Sequence, residues 1–393
     1  MSEETVVIVN GARTPMGGLQ GGLASVTSPQ LGSVAIAEAL SRAGVAPDDV
    51  DEVFMGCVLP AGLGQSPARQ ALLGAGLPKS TGAVTLNKVC GSGMQAAMFA
   101  HDSILAGTNK MVVAGGMESM TNAPHLIPGA RGGVRSGHKT IYDHMFLDGL
   151  ENAYDGRAMG SFAQQTADDR GITREQMDAY AIESLRRAKS AIEKGLLKAE
   201  TVPVTVKTRK GEVVVEHDEQ PFSADETKIP KLRPAFAEDG TVTAANSSSI
   251  SDGASALVLT SASEAEARGL KPMAKILGHS RHSHEPGLFT TAPIGAINKL
   301  LDRLGWTVDD VDLWEINEAF AMVVMMAITD LGLDPAKVNV YGGGCAMGHP
   351  IGSTGSRIIV TLMYALQQAG KKRGIASLCI GGGEATAIAI ELL

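Results

Sequence analysis

The chain repeats itself once, and this duplication limits its fold more than any other feature. GVAPDDVDEVFMG at residues 44–56 returns as GWTVDDVDLWEIN at 305–317, with acids and apolar residues in the same places. At nearly the same offset, CGSGMQAAMFAHDSILAGTNKMVVAGGMES is answered by GHPIGSTGSRIIVTLMYALQQAGKKRGIASLCIGGGEA. Each stretch reads as a Gly-rich turn, an apolar helix, an AG stop with basic residues after it, and a short buried strand ending in glycines. Strand and helix patterns alternate in both copies, as in a layered α/β protein with mostly parallel sheets. Ligands of such folds sit beyond the carboxyl ends of strands, so the Gly-rich turns of the two copies should converge on one site.

Residues 121–245 break the symmetry. They carry a Pro/Gly/basic stretch (NAPHLIPGARGGVRSGHKT), amphipathic helices (TREQMDAYAIESLRRAKSAIEKGLL) and a β-like excursion (VPVTVKTRKGEVVVEHDEQPF). We read them as a loop domain inserted over the site. The first half then comprises residues 1–120 and 246–270, and the second half residues 271–393.

A chain of 393 residues with 44% hydrophobic and 19% charged residues can bury a large core. Its net charge of −8 argues against a general nucleic-acid or anionic-membrane partner, because both would repel it. An anionic ligand must therefore meet a local basic patch. No run of 18 uncharged apolar residues is present, and MSEETVVIVNGARTP reads as a strand behind a short acidic leader, so a cytoplasmic location is expected. Cys57, Cys90, Cys345 and Cys379 form no CxxC pair and suggest free thiols.

Cys90 stands in LNKVCGSGMQAAMF, between a short strand and a helix start, where amides and the helix dipole favour a thiolate. A buried structural cysteine is the plainer alternative. His349, in YGGGCAMGHPIGSTGSR, falls within two positions of the repeat's equivalent of Cys90, so a pseudo-twofold arrangement would set an imidazole base opposite the thiol. Cys379, before three glycines in LCIGGGEATAIA, could exchange a proton with a carbon acid, and Gly381 offers an unobstructed amide for an oxyanion. Asn317 and Glu318, in WEINEAFAMVVMM, again mark a strand-to-helix transition; Asn317 could hold a water or simply cap a helix. His279, His282 and His284 lie within six residues in GHSRHSHEPG, but the segment has loop composition and no carboxylate or thiol at ligand spacing, so no metal is expected.

Taken in order, VCGSG, NEAFA, GHPIG and CIGGG resemble the motif set of the thiolase family, and GARTPMGG, AGGMESM, KLRPAF and GTVTAANSSSISDGA extend the resemblance over essentially the whole chain. The resemblance implies the thiolase fold: two duplicated βαβαβαββ halves in a five-layered α/β/α/β/α core plus a loop domain. It implies an acyltransferase that joins two acetyl-CoA into acetoacetyl-CoA and CoA, reversibly and with ping-pong kinetics. Cys90 would carry the acyl group. His349 would activate Cys90 and share an oxyanion site with a water on Asn317, while Cys379 would move the α-carbon proton. The amides of Cys90 and Gly381 would form a second oxyanion hole. CoA thioesters are substrates, and no cofactor is implied. Contacts to CoA carry over to Leu150, Met159, Ala235, Phe236, Ala244, Ser248, Ile250, Ala319 and Phe320. Arg131, Arg135, His138 and Lys139 resemble the cationic loop of tetrameric members, which implies a dimer of dimers.

Three positions depart from the pattern. Arg157-Ala158-Met159-Gly160 replaces a usual Tyr-His-Met-Gly run, Pro221 stands where a CoA-contacting arginine is common, and Phe289 replaces a frequent Met. A degradative thiolase acting on longer 3-ketoacyl-CoAs is therefore an alternative. So is a related condensing enzyme such as a ketoacyl-carrier-protein synthase, although CIGGG stands where its second histidine motif is expected. An inactive CoA- or lipid-binding protein is a third reading, which intact Cys90, His349 and Cys379 oppose.

Overall fold

In a computed structural model, which describes residues 4–393, both copies take the order read from the sequence, while the beginning of the acidic leader lies outside the described residues. The first half supplies strands β1 (Val6–Arg13), β2 (Glu52–Gly56), β3 (Gly82–Leu86), β4 (Met111–Ser119) and β5 (Ser251–Ser261), with helices α1 (Ser28–Ala43), α2 (Pro67–Gly74) and α3 (Ser92–Leu105). The insertion between β4 and β5 holds α4 (Met159–Arg170), α5 (Arg174–Glu193) and a hairpin of Val204–Thr208 with Gly211–Val215. The second half supplies β6 (Ala274–Ser283), β7 (Leu313–Ile316), β8 (Arg373–Ile380) and β9 (Glu384–Leu392), with α6 (Ala292–Leu304), α7 (Ala321–Leu331) and α8 (Thr354–Ala369).

The strand order is β3-β2-β4-β5-β1 in the first half and β7-β8-β9-β6 in the second. The halves join edge to edge where Val7 pairs with Lys275 and Ile8 with Ala274. Alternating side chains sort the layers, as the two-residue period of a strand requires. On β4, Val112 and Ala114 face the central helices while Val113 faces outward. On β5, Leu257 and Leu259 face in, and Ala256 and Val258 face out. The central layer is α3 and α8, whose Ala96, Ala97, Ile358 and Ile359 are buried between both sheets. Helices α1 and α2 cover the outer face of the first sheet, and α6 and α7 that of the second. Helix α6 shows why such a segment folds this way. Ala292, Ala296, Ile297, Leu300 and Leu301 form one apolar stripe, Pro293 suits the first turn, and Gly305 ends the helix at φ +65°.

The copies differ at one strand. In the first half β3 pairs in parallel with β2 over five positions. In the second half the equivalent strand is reduced to a single bridge between Trp314 and Val338. Asn339, at φ +47°, makes up the loss with its side chain. Its Oδ1 accepts from the Ile316 amide at 2.8 Å, and its Nδ2 donates to the Ile316 carbonyl at 2.8 Å and to Glu318 Oε1 at 2.9 Å.

The insertion is tied down by charge. Arg13, fully buried at the end of β1, donates two hydrogen bonds to Asp218 at 2.7 and 2.9 Å and one to Glu200 at 2.5 Å. Burial alone would lower the pKa of this guanidinium, but the charges of Asp218 and then Glu200 outweigh it and hold Arg13 above the ordinary arginine value.

The histidine-rich stretch is not the loop its composition suggests. Ala274–Ser283 is a strand paired with β9, because Ile276 and His279 turn toward the interior while Arg281 and Ser283 remain exposed. His279 leaves the other two histidines: its Nε2 meets Asp102 Oδ1 at 2.9 Å, and His101 Nδ1 meets the same oxygen at 3.0 Å. These three side chains satisfy one another by hydrogen bonds. His282 and His284 pack edge to face, with centroids 5.0 Å apart.

Candidate active site

The chain enters α3 through a tight turn. Val89, a β-branched residue, is held at φ +46°, a conformation that costs an L side chain on the order of 1–3 kcal/mol. Neighbouring bonds hold it there: the Val89 amide donates to Asn87 Oδ1 at 2.8 Å, and Ser92 Oγ donates to the Val89 carbonyl at 2.7 Å. Cys90 is thereby lifted out of the strand-to-helix path and faces a cavity of about 510 Å³.

That cavity collects residues from every part of the chain. Cys90 comes from the first half, and His349, Cys379 and Gly381 from the second. All nine residues matched to CoA contacts line it: Leu150 and Met159 below, Ala235, Phe236, Ala244, Ser248 and Ile250 along the approach to β5, and Ala319 and Phe320 after β7. Ala158 and Phe289, two of the departures, are also in its wall, whereas Gln220 and not Pro221 reaches it. No lysine or arginine lines it among the described residues. The walls suit a thin, mostly uncharged arm, and Phe320 is braced by Phe236 and Phe289 at centroid distances of 6.4 and 6.2 Å.

The imidazole of His349 is buried, and its Nδ1 lies 2.6 Å from Thr354 Oγ1. The Thr354 hydroxyl donates its one proton to the Pro350 carbonyl at 3.0 Å, so it can only accept from Nδ1–H. The lone pair is therefore on Nε2, which has no hydrogen-bond partner among the described residues. Burial, helped by the charge of Arg357, pushes the His349 pKa down to about 3, so the ring is a neutral acceptor at physiological pH.

The cysteines differ from the expected thiolate. Cys90 keeps some surface toward the cavity, yet burial pushes its pKa up to about 11, outweighing the amides of Gly381 and of Cys90 itself, which favour the anion. Desolvation outweighs these amides, and the charge of Glu118 adds to it, so the thiol form is favoured. Cys379 is shut in more deeply, so burial and then the nearby Cys90 sulfur push it far above the ordinary thiol range. At Gly381 a Cβ would lie 3.1 Å from Met159 Sδ, a tight contact that the flexible Met159 side chain would have to yield to.

Asn317 does not line the cavity. It is buried just after β7, its amide donates to the Ser377 carbonyl at 3.0 Å, two residues before Cys379, and neither polar atom of its side chain has a partner among the described residues. Glu318 is structural. Its carboxylate accepts from Tyr180 at 3.0 Å, Ser184 at 2.7 Å, Asn339 at 2.9 Å and the Cys345 amide at 3.1 Å.

Sequence reasoning missed two polar residues, Thr354 and Glu118. Thr354 stands five residues after His349 in a GSTGSR turn, and a hydroxyl so placed was a readable signal. Glu118 is the one charged residue in the buried strand β4, and its carboxylate reaches the turn that follows His349.

The chain belongs to the thiolase family and is an acyltransferase: residues 6–263 match the family's N-terminal domain and residues 270–392 its C-terminal domain. It is 48% identical to the acetyl-CoA acetyltransferase of Schizosaccharomyces pombe, over 100% of both chains. It is 50% identical to acetyl-CoA acetyltransferase 2 of Arabidopsis thaliana, over 99% of this chain and 97% of that one. Among solved structures, the Acat5 thiolase of Ascaris suum in complex with coenzyme A superposes with a TM-score of 0.94 at 43% identity, covering 99% of this chain and 100% of that one. The five-layered thiolase fold implied by the motifs is the fold of this chain.

Proposed function

We propose that this chain is an acetyl-CoA C-acetyltransferase that joins two acetyl-CoA into acetoacetyl-CoA and CoA, and runs in reverse as a thiolase. The observation that carries the reading is a single cavity floor holding the Cys90 sulfur, the Cys379 thiol, the Gly381 amide and a histidine whose Nε2 is free. The full-length likeness to acetyl-CoA acetyltransferases supports the choice of substrate.

In the proposed cycle the Cys90 proton passes to His349 Nε2 as sulfur attacks the thioester carbonyl, and the departing CoA thiolate takes the Cys379 proton. The amides of Cys90 and Gly381 face the acyl oxygen. A second acetyl-CoA then gives an α-proton to the Cys379 thiolate, a strong base in this dry setting. Its carbanion attacks the Cys90 thioester, and the released sulfur recovers its proton from His349. Asn317, with its unpaired amide, would hold a water that shares the enolate oxygen with His349.

Phe289 and Met159 narrow the acyl end and favour short chains, whereas Ala158 leaves room where a histidine is usual. Thiolysis of 3-ketoacyl-CoAs of increasing length tests this: a steep fall beyond four carbons supports the acetyltransferase, and flat rates support the degradative alternative. The exposed run with Arg131, Arg135, His138 and Lys139 also displays Val134 and Ile141, which are 62% and 59% exposed; this supports a dimer of dimers, measurable by light scattering. No described helix is long and apolar enough to cross a membrane. A cytoplasmic location remains part of the proposal.

A further inference from the structure

The geometry points to Glu118 as a positioning residue that holds the His349 turn of the second half in register with the Cys90 side of the first half. This inference rests on the reading of His349 as the base for Cys90.

Glu118 lies at the end of β4 and is fully buried. Its Oε2 accepts from the amides of Val58 and Gly352, both at 2.9 Å, and its Oε1 accepts from the Leu59 amide at 3.1 Å and faces Cys57 Sγ at 3.6 Å. Val58 and Leu59 follow β2 in the first half, whereas Gly352 is three residues after His349 in the second. One carboxylate thus binds the loops of both halves where they meet beneath the cavity, beside Ile351 and Met120 of its wall.

The approach of the two backbones leaves no alternative filler. A Cβ at Gly116 would lie 1.9 Å from the Gly352 carbonyl oxygen, and one at Gly352 would lie 2.6 Å from Glu118 Oε2. With the turn pressed against β4, its Gly352 amide is out of reach of water, and the carboxylate is the acceptor that satisfies it. The same turn presents the Pro350 carbonyl that takes the Thr354 proton, so a displaced turn disturbs both the place and the tautomer of His349.

The link also depends on charge. An ionised carboxylate accepts all three amides at once, while a protonated one must turn an O–H toward a group able to accept it. Around Glu118 the titratable groups are Cys57 in contact, Cys90 across the floor, and His349 on the turn itself; no cation pairs with it among the described residues. Burial pushes its pKa up to about 7 against the pull of the three amides, so the link loosens as pH falls through neutrality.

The test compares wild type with Glu118→Gln and Glu118→Asp, following both steady-state condensation and single-turnover acetylation of Cys90 across pH 5.5–9. Glutamine keeps the shape but cannot ionise. We expect wild type to show an acid limb near pH 7, and in Glu118→Gln we expect kcat to fall at least tenfold with the KM for acetyl-CoA within about twofold and that limb to vanish. A Glu118→Gln enzyme with kcat within twofold of wild type, or with the acid limb intact, overturns the inference. If glutamine prevents folding, Glu118→Asp decides. It keeps the charge but cannot reach both halves, so a lower kcat with the limb near pH 7 lost and the KM for acetyl-CoA within about twofold supports the role, and wild-type kcat or an intact limb refutes it. His349→Ala is run alongside: if it acetylates Cys90 at the wild-type rate, the underlying reading of His349 has failed instead.

Discussion

His349 Nδ1 and the Thr354 hydroxyl lie 2.6 Å apart, and this contact decides which nitrogen of the imidazole stays free. Thr354→Val removes the acceptor and leaves the ring free to rotate or change tautomer. The expected result is a loss of kcat of roughly 10²-fold, at the low end of what a positioned base contributes. Thr354→Ser should retain most of the activity. Equal activity in the valine variant would remove Thr354 from the mechanism.

The second prediction concerns the nucleophile's charge. Because burial raises the Cys90 pKa to about 11, above the ordinary thiol value, the protonated form dominates at neutral pH and the reactive anion becomes more abundant as pH rises. Alkylation of Cys90 by iodoacetamide, followed by mass spectrometry, should therefore accelerate about tenfold per pH unit between pH 7 and 9. A plateau below pH 8 would indicate a stabilised resting thiolate.

Substitution should separate the roles of the two sulfurs. Cys90→Ser is expected to acquire no thioester label from acetyl-CoA and to lose turnover by about four orders of magnitude or more. Cys379→Ser should still be labelled on Cys90 yet fail to condense. Full condensation by the Cys379 variant would show that the α-proton leaves by another route.

Arg13 offers a test remote from chemistry. Arg13→Ala strands the buried carboxylates of Asp218 and Glu200 without a counter-charge, which typically costs about 3–5 kcal/mol. Thermal unfolding should show a large drop in Tm, with Cys90 acetylation kinetics unchanged well below it. A shift of only a degree or two would mean that water replaces the guanidinium.

What the sequence revealed followed its own periodicities. The repeat carried the layer order, and the Gly-rich turns led to Cys90, His349, Cys379 and Gly381, which do share a floor. Partners set by distant contacts stayed hidden. Nothing in the chain around Arg13 announces Asp218 or Glu200, and Glu118 reads as one letter of a motif until Gly352 arrives from the other half. The thiol pKa was misjudged because a helix start is visible in sequence, whereas the depth at which it is buried is not. The histidine stretch was misjudged because polar composition imitates a loop when one face of a strand is exposed.

Asn339 shows how the two copies came to differ in their susceptibility to change. In the first half, main-chain pairing secures the end of strand β2, and such pairing survives most replacements of side chains. In the second half, a side-chain amide performs that service for Ile316, immediately before Asn317. One side chain, that of Asn339, thus carries on one flank of this strand end what main-chain pairing carries in the first half, so variation reaches the neighbourhood of buried Asn317 more directly than its counterpart beside Gly56.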